Sequence, residues 1–160
     1  MSAKNSVVPR SINTLVFFDL ETTGLLEDSP AKITELNLCS IERNQFIECS
    51  NQGELRPRVT NSLNLCVNPC RNLHPKAAEM SKLNKDMLQH QTMFDENVFQ
   101  SIFGFLNRLK RPICLVAHSC LYFDFLIFKS ELEKIGKVCY YSISFMLCNC
   151  LFDATLMILF

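Results

Sequence analysis

The run Thr14-Leu-Val-Phe-Phe-Asp-Leu20 is short, continuously apolar and ends at an acid. That pattern predicts a buried central strand. Thr22-Thr-Gly24 and Ser29-Pro30 mark a loop. From Ile33 to Glu42 apolar Ile33, Leu36, Leu38 and Ile41 stand among polar residues and predict a second strand. Residues 43–58 are polar, include Gly53 and Pro57, and are read as a connection. Ser62 to Pro69 is a third strand. Short links between successive strands imply an antiparallel meander. The period then changes. Pro75 opens a helix at a favoured first-turn position, through Ala77, Ala78 and Met80. Thr92-Met-Phe-Asp95 has capping-box spacing, so a second helix is expected from Thr92, with Val98, Ile102, Phe105, Leu106 and Leu109 on one face and Pro112 as its stop. Ile113 to Ala117 is another buried strand, and Phe123 to Ile135 an amphipathic helix ended by Gly136. Strands followed by helices, a strand and a helix define a mixed α/β domain.

Composition sharpens this picture in two ways. At 160 residues and 48% apolar, the chain has the size and content of one domain. Its formal net charge is zero. That excludes a broad basic field for gripping phosphates, so any nucleic-acid contact must be local. Nine Cys invite a metal or disulfide interpretation. Cys39, Cys66 and Cys114 sit in apolar runs, where Cys behaves as a small hydrophobe. Cys66, Cys70 and His74 have loose ligand spacing but no matching second pair for a tetrahedral zinc site. With no apolar signal segment at Met1–Ser6, a reducing compartment, cytosol or nucleus, is expected.

Candidate chemistry lies at two strand ends. Asp19 and Glu21, at i and i+2, project to one side of the first strand. Two such carboxylates repel unless a cation lies between them. Hard divalent ions are held by few oxygen ligands completed by phosphate and water. Asp124 falls one turn into the helix that follows the buried strand 113–117. It is placed to project over that strand's carboxyl end, where ligands gather in open α/β sheets. Taken alone, each acid fits a solvated strand end or a favourable helix dipole as well.

Phe17-Phe-Asp-Leu-Glu-Thr-Thr-Gly24 resembles the first motif of the DEDDh exonucleases. Leu115-Val-Ala-His118 with Phe123-Asp-Phe125 resembles their second. Between them, Leu63–Pro69, Ala78–Leu83 and Phe94–Asn97 leading into Phe105-Leu106 are similar to the three-prime repair exonuclease family. The resemblance runs in continuous order from about residue 12 to 137. It implies a ribonuclease H-like mixed sheet, with a three-strand antiparallel meander, a parallel fourth strand and flanking helices. It implies metal-dependent 3′→5′ removal of nucleotides from DNA with a free 3′ end, single-stranded or frayed, using two Mg²⁺ or Mn²⁺ ions and no small-molecule cofactor. On that basis Asp19, Glu21 and Asp124 are the catalytic metal ligands. Glu21, Thr22 (through its amide), Leu25, Met80 and Phe123 contact the 3′-terminal nucleotides, although Leu25, Met80 and Phe123 suit core packing too. A homodimer through the edge of the third strand is also implied.

Departures qualify the expectation. His118-Ser-Cys120 stands where the family usually has His-Asn-Gly, and Leu126 replaces a Pro. The family's third motif is a His followed five residues later by an Asp, which supply the general base and a fourth acidic ligand. That spacing occurs here only at His90 and Asp95, ahead of the second motif. The chain is therefore expected to hold a flexible segment 1–12, a partial exonuclease domain 13–137 with the C-terminal part of the fold missing, and an apolar tail 138–160 outside the resemblance. Activity is expected to be absent or strongly impaired. The alternatives are a non-catalytic nucleic-acid-binding or dimerising fragment and a tail-anchored membrane fragment. Three origins suit the tail. Its apolar length approaches a bilayer span, interrupted by Asn149 and Asp153. Cys150-Leu-Phe-Asp153 is similar to a divergent fifth strand. The preferred origin is translation into a retained intron, since Lys137-Val-Cys139 can be encoded across a splice-donor pattern.

Overall fold

The computed structural model describes residues 12–25, 30–53, 56–117, 123–137, 144–147 and 156–159. Its elements in chain order are β1 (Thr14–Thr22), β2 (Ile33–Glu42), α1 (Arg43–Gln52), β3 (Asn61–Cys66), α2 (Pro75–Ser81), α3 (Lys85–Leu88), α4 (Glu96–Asn107), β4 (Ile113–Ala117), α5 (Asp124–Lys134), β5 (Ser144–Leu147) and β6 (Leu156–Leu159). They build one sheet of order β3-β2-β1-β4-β6-β5. The β1–β2 and β2–β3 pairs are antiparallel and β1–β4 is parallel, which is the expected meander with its parallel fourth strand. Beyond β4 the sheet continues through antiparallel β6 and β5. These two strands fall in the 138–160 tail, whose segment Cys150–Asp153 lies outside the described residues.

The sheet's two faces are unequal. Along β1, Val16, Phe18 and Leu20 are buried while Phe17 and Asp19 are exposed. The continuous apolar run thus resolves into an alternating strand with a single deeply covered face. Phe18 is the centre of that face. Its ring stacks on Phe125 at 5.4 Å between centroids and meets Phe128 at 5.2 Å. Phe128 also meets Phe94 edge-on at 6.1 Å. From α4, Val98, Phe99, Ile102, Phe105 and Leu106 join the same core. Burying one such side chain is worth about 1.5–3 kcal/mol. Lys137 ties the two helices together. Its Nζ lies 2.9 Å from a Glu96 carboxylate oxygen and 5.1 Å from the Phe99 ring centroid.

Three elements differ from the sequence expectation. Residues 43–52, read as connection, form α1, ended by Gly53 in the left-handed region at φ 71°. This helix buries only Cys49, so it shows no apolar stripe. The helix expected from Thr92 starts later, at Glu96. Asp95 rather than Thr92 is its cap, its carboxylate accepting from the amides of Asn97 (2.9 Å) and Val98 (3.1 Å). An ionised acceptor there also complements the helix dipole. The third strand ends at Cys66 instead of Pro69: the Val67 amide still reaches the Thr34 carbonyl of β2, but Asn68 turns its amide away to the Thr92 carbonyl. No helix among the described residues is long and apolar enough to cross a membrane.

Candidate active site

The carboxyl end of β1 is shaped by a bulge. Glu21 pairs with Glu35, but Thr22 pairs with Ile33, so Thr34 is an extra residue on β2. Bulges of this kind bend a strand and re-aim its side chains. The chain beyond is held tightly. Thr22 Oγ1 donates to the Gly24 carbonyl (2.9 Å), Thr23 N to Lys32 O (2.9 Å) and His74 N to Thr23 O (2.7 Å). Thr22 and Thr23 are buried. Gly24 has φ 158°, and a Cβ added there would sit 3.3 Å from His74 Cβ. The start of α2 therefore rests directly on the end of β1.

Charge concentrates on the open face. Asp19 and Glu21 share it with Glu35, the direct cross-strand partner of Glu21. Burial, then the charge of Asp19, then that of Glu35 raise the Glu21 carboxyl above the usual glutamate range. Glu35 is partly offset by Asn64, whose Nδ2 donates to Glu35 Oε1 at 2.7 Å. Glu35 was missed in the sequence because its approach depends on the β1–β2 register. Alternation counted in both strands from a β1–β2 hairpin pairing could have found it. Nearby, burial and then Glu35 push the Cys66 thiol upward, which disfavours the thiolate needed for metal binding.

Glu21, Thr22, Leu25, Met80 and Phe123 meet at one cleft of about 440 Å³, together with Leu20, Gly24, His74, Lys76 and Ala77. Leu25 is 62% and Met80 73% exposed, so neither is a core residue. Phe123 does both jobs: it packs against the core cluster and lines the cleft. Asp19 lies outside this cleft. It lines a neighbouring depression on the open face with Phe17, Asn37, Cys39 and Val116. Asp124 is the first residue of α5 and is buried. His118 lies outside the described residues.

The coupled Asp19–Glu21 pair fits a hard divalent cation, since a cation relieves the repulsion that raises Glu21 and such ions need only one or two carboxylates beside phosphate and water. A larger donor set is another matter. Among the described residues no three His, Cys, Asp or Glu side chains come together as a group able to hold a metal ion.

An α/β sheet of this strand order with paired acids at the end of β1 defines a nuclease-like architecture, and comparison with known proteins agrees. The family model described as Exonuclease matches residues 16–154, so the chain belongs to that exonuclease family. The match runs past Lys137 into the tail. Among curated relatives, three prime repair exonuclease 2 of Mus musculus is 38% identical over 133 residues, covering 80% of this chain and 56% of that protein. Three-prime repair exonuclease 1 of Homo sapiens is 36% identical over 136 residues, covering 80% of this chain and 43% of that protein. The chain thus spans about half the length of these relatives. The nuclease domain of 3′hExo, a DEDDh family member, bound to rAMP, shares the fold with a TM-score of 0.59 at 14% identity, over 79% of this chain and 62% of that one.

Proposed function

We propose that these residues form the substrate-end half of a divalent-metal-dependent 3′→5′ DNA exonuclease. The observation that carries this reading is the cleft in which Glu21 and Thr22 meet the exposed apolar side chains of Leu25 and Met80. A solvent-facing apolar wall beside an acid pair suits a nucleotide terminus, with bases against the wall and phosphate toward the acids. Wedging or stacking of that kind tolerates any base. Leu25, Met80 and Phe123 hold the terminal bases, and the Thr22 amide faces the last nucleotide. Asp19 and Glu21 would hold Mg²⁺ or Mn²⁺, which when bound supplies charge stabilisation at phosphoryl oxygens and an acidified water. By resemblance Asp124 is the third acid of the site, although among the described residues it does not join Asp19 and Glu21 in a group able to hold a metal ion. DNA with a free 3′ end is the substrate, in a reducing compartment, cytosol or nucleus, where DNA 3′ ends are repaired.

No His follows His118 within these 160 residues. The general base is therefore not supplied by a third motif here, which typically costs about 10²–10⁴-fold in rate. Incubation of the purified chain with a 5′-labelled single strand and Mg²⁺ tests the reading. The expected result is slow stepwise shortening from the 3′ end, orders of magnitude below three prime repair exonuclease 2 and lost in Asp19→Ala. Shortening that Asp19→Ala leaves unchanged would sink it.

A second reading has its own observation. β3 is an edge strand of the sheet, and an unpaired edge is a template for another chain. Pairing of two β3 edges would give a homodimer, and a non-catalytic nucleic-acid-binding partner subunit is the function that remains if turnover is absent.

A further inference from the structure

The exonuclease reading leaves the cleft with a charge problem. Glu21 within it and Asp19 beside it repel a polyanion, the chain has no net positive charge, and the apolar wall contributes nothing to phosphate binding. Among the described residues one cation lines the cleft, Lys76, the second residue of α2. Lys76 and Met80 are four residues apart on α2 and so share a helical face, with Ala77 beside them in the cleft wall. Among the described residues Lys76 joins no ion pair; the bridges present link Lys129 to Glu133, Lys134 to Glu131 and Lys137 to Glu96. Nor is Lys76 among the groups that shift Glu21. Helix stability does not call for it, since a cation in the first turn opposes the helix dipole. Its backbone is nonetheless fixed. The amide of Lys76 donates to His74 Nδ1 (3.2 Å), and His74 is itself bonded to Thr23 and pressed against Gly24.

Resting on the proposed function, we infer that Lys76 is a substrate-binding residue that contacts the phosphodiester next to the base covered by Met80. His74 acts as a positioning residue that holds α2 on the strand end. The ammonium supplies the local counter-charge that the acidic end of β1 lacks. The contact is sequence-independent and concerns the next internucleotide linkage on the 5′ side, not the scissile phosphate at Asp19 and Glu21.

The test is anisotropy of a 5′-labelled eight-thymidine strand bound to the full chain in Mg²⁺, over a range of salt. Lys76→Ala should weaken binding roughly three- to tenfold and reduce the slope of log affinity against log salt by about 0.7, the loss of one phosphate contact to a single strand. Lys76→Arg should retain both. A strand with a neutral methylphosphonate at its penultimate internucleotide linkage, one step 5′ of the scissile phosphate, should bind wild type more weakly, while Lys76→Ala should not distinguish the two strands. His74→Asn, which keeps a capping acceptor, should bind like wild type, and His74→Ala should not. Equal affinity and slope for wild type and Lys76→Ala overturns the inference. If Leu25→Ala still weakens binding in that case, the cleft remains the DNA site and only the Lys76 assignment fails. If Leu25→Ala and Lys76→Ala both leave binding unchanged, the proposed function fails with it.

Discussion

The two faces of β1 carry consecutive residues into opposite physical regimes. Phe18 is 3% exposed and locked between two phenylalanine rings of α5; Phe17, one residue earlier, is 37% exposed on the open face. Asp19 and Glu21 share that open face with Phe17. One face holds the domain together, and the other collects like charges that only a partner can neutralise. The difference teaches that stability and chemistry are separated by the pleat of a single strand. A site can therefore be perturbed without touching the core, and the reverse.

The sharpest way to break that comparison is to truncate both rings. Phe18→Ala should destabilise the chain by about 3–5 kcal/mol, the usual cost of emptying a packed aromatic site. Phe17→Ala should cost less than about 1 kcal/mol, which urea unfolding of both variants would check. Equal losses would mean that the open face is covered after all. A smaller effect concerns the acids. At ten times its dissociation constant, a cation that binds only the folded state stabilises it by about 1.4 kcal/mol. Mg²⁺ should therefore raise the thermal midpoint of wild type and leave Asp19→Ala unmoved, as read by differential scanning calorimetry.

The smallest effect is a pH dependence. The folded-state Glu21 carboxyl is raised above its unfolded value, so the folded state binds the extra proton. The stability this provides is complete below the ordinary glutamate range and is lost as pH rises through the raised value. In metal-free buffer Glu21→Gln should remove that decline. The gain at neutral pH should be under about 1 kcal/mol, because the carboxylate is partly solvated and opposed like charges on neighbouring strands cost little more. A steeper decline in Glu21→Gln than in wild type would contradict the assignment.

What the sequence disclosed follows from which interactions are local. β2 was legible from Ile33 to Glu42 because one covered face imposes a period of two. The acids of β1 were legible for the same reason. α1 was not, since a helix that buries only Cys49 writes no stripe; Gly53 just beyond it was the one available sign. Asp95 was legible as a helix-start acid, but its competition with Thr92 for the cap was settled only by backbone geometry. β5 and β6 are four-residue strands inside a mostly apolar tail broken only by scattered polar residues such as Asn149 and Asp153, too short for periodicity to count. At the site, Leu25, Met80 and Phe123 came from resemblance, and their exposure and grouping came from the fold. Glu35, His74 and Lys76 came from the fold alone, because each reaches the strand end through tertiary docking.

The bulge opposite Glu21 and Thr22 has a consequence for inheritance. Thr34 is one surplus residue in the β2 ladder. An in-frame loss of its codon would preserve the reading frame and nearly all of the composition, while removing a fully buried side chain and the carbonyl that accepts from the Val67 amide. It would also straighten the ladder and turn the segment that carries Thr22, Thr23 and Gly24 toward a new bearing. A lineage could thus lose its cleft through three nucleotides that touch none of the residues lining it.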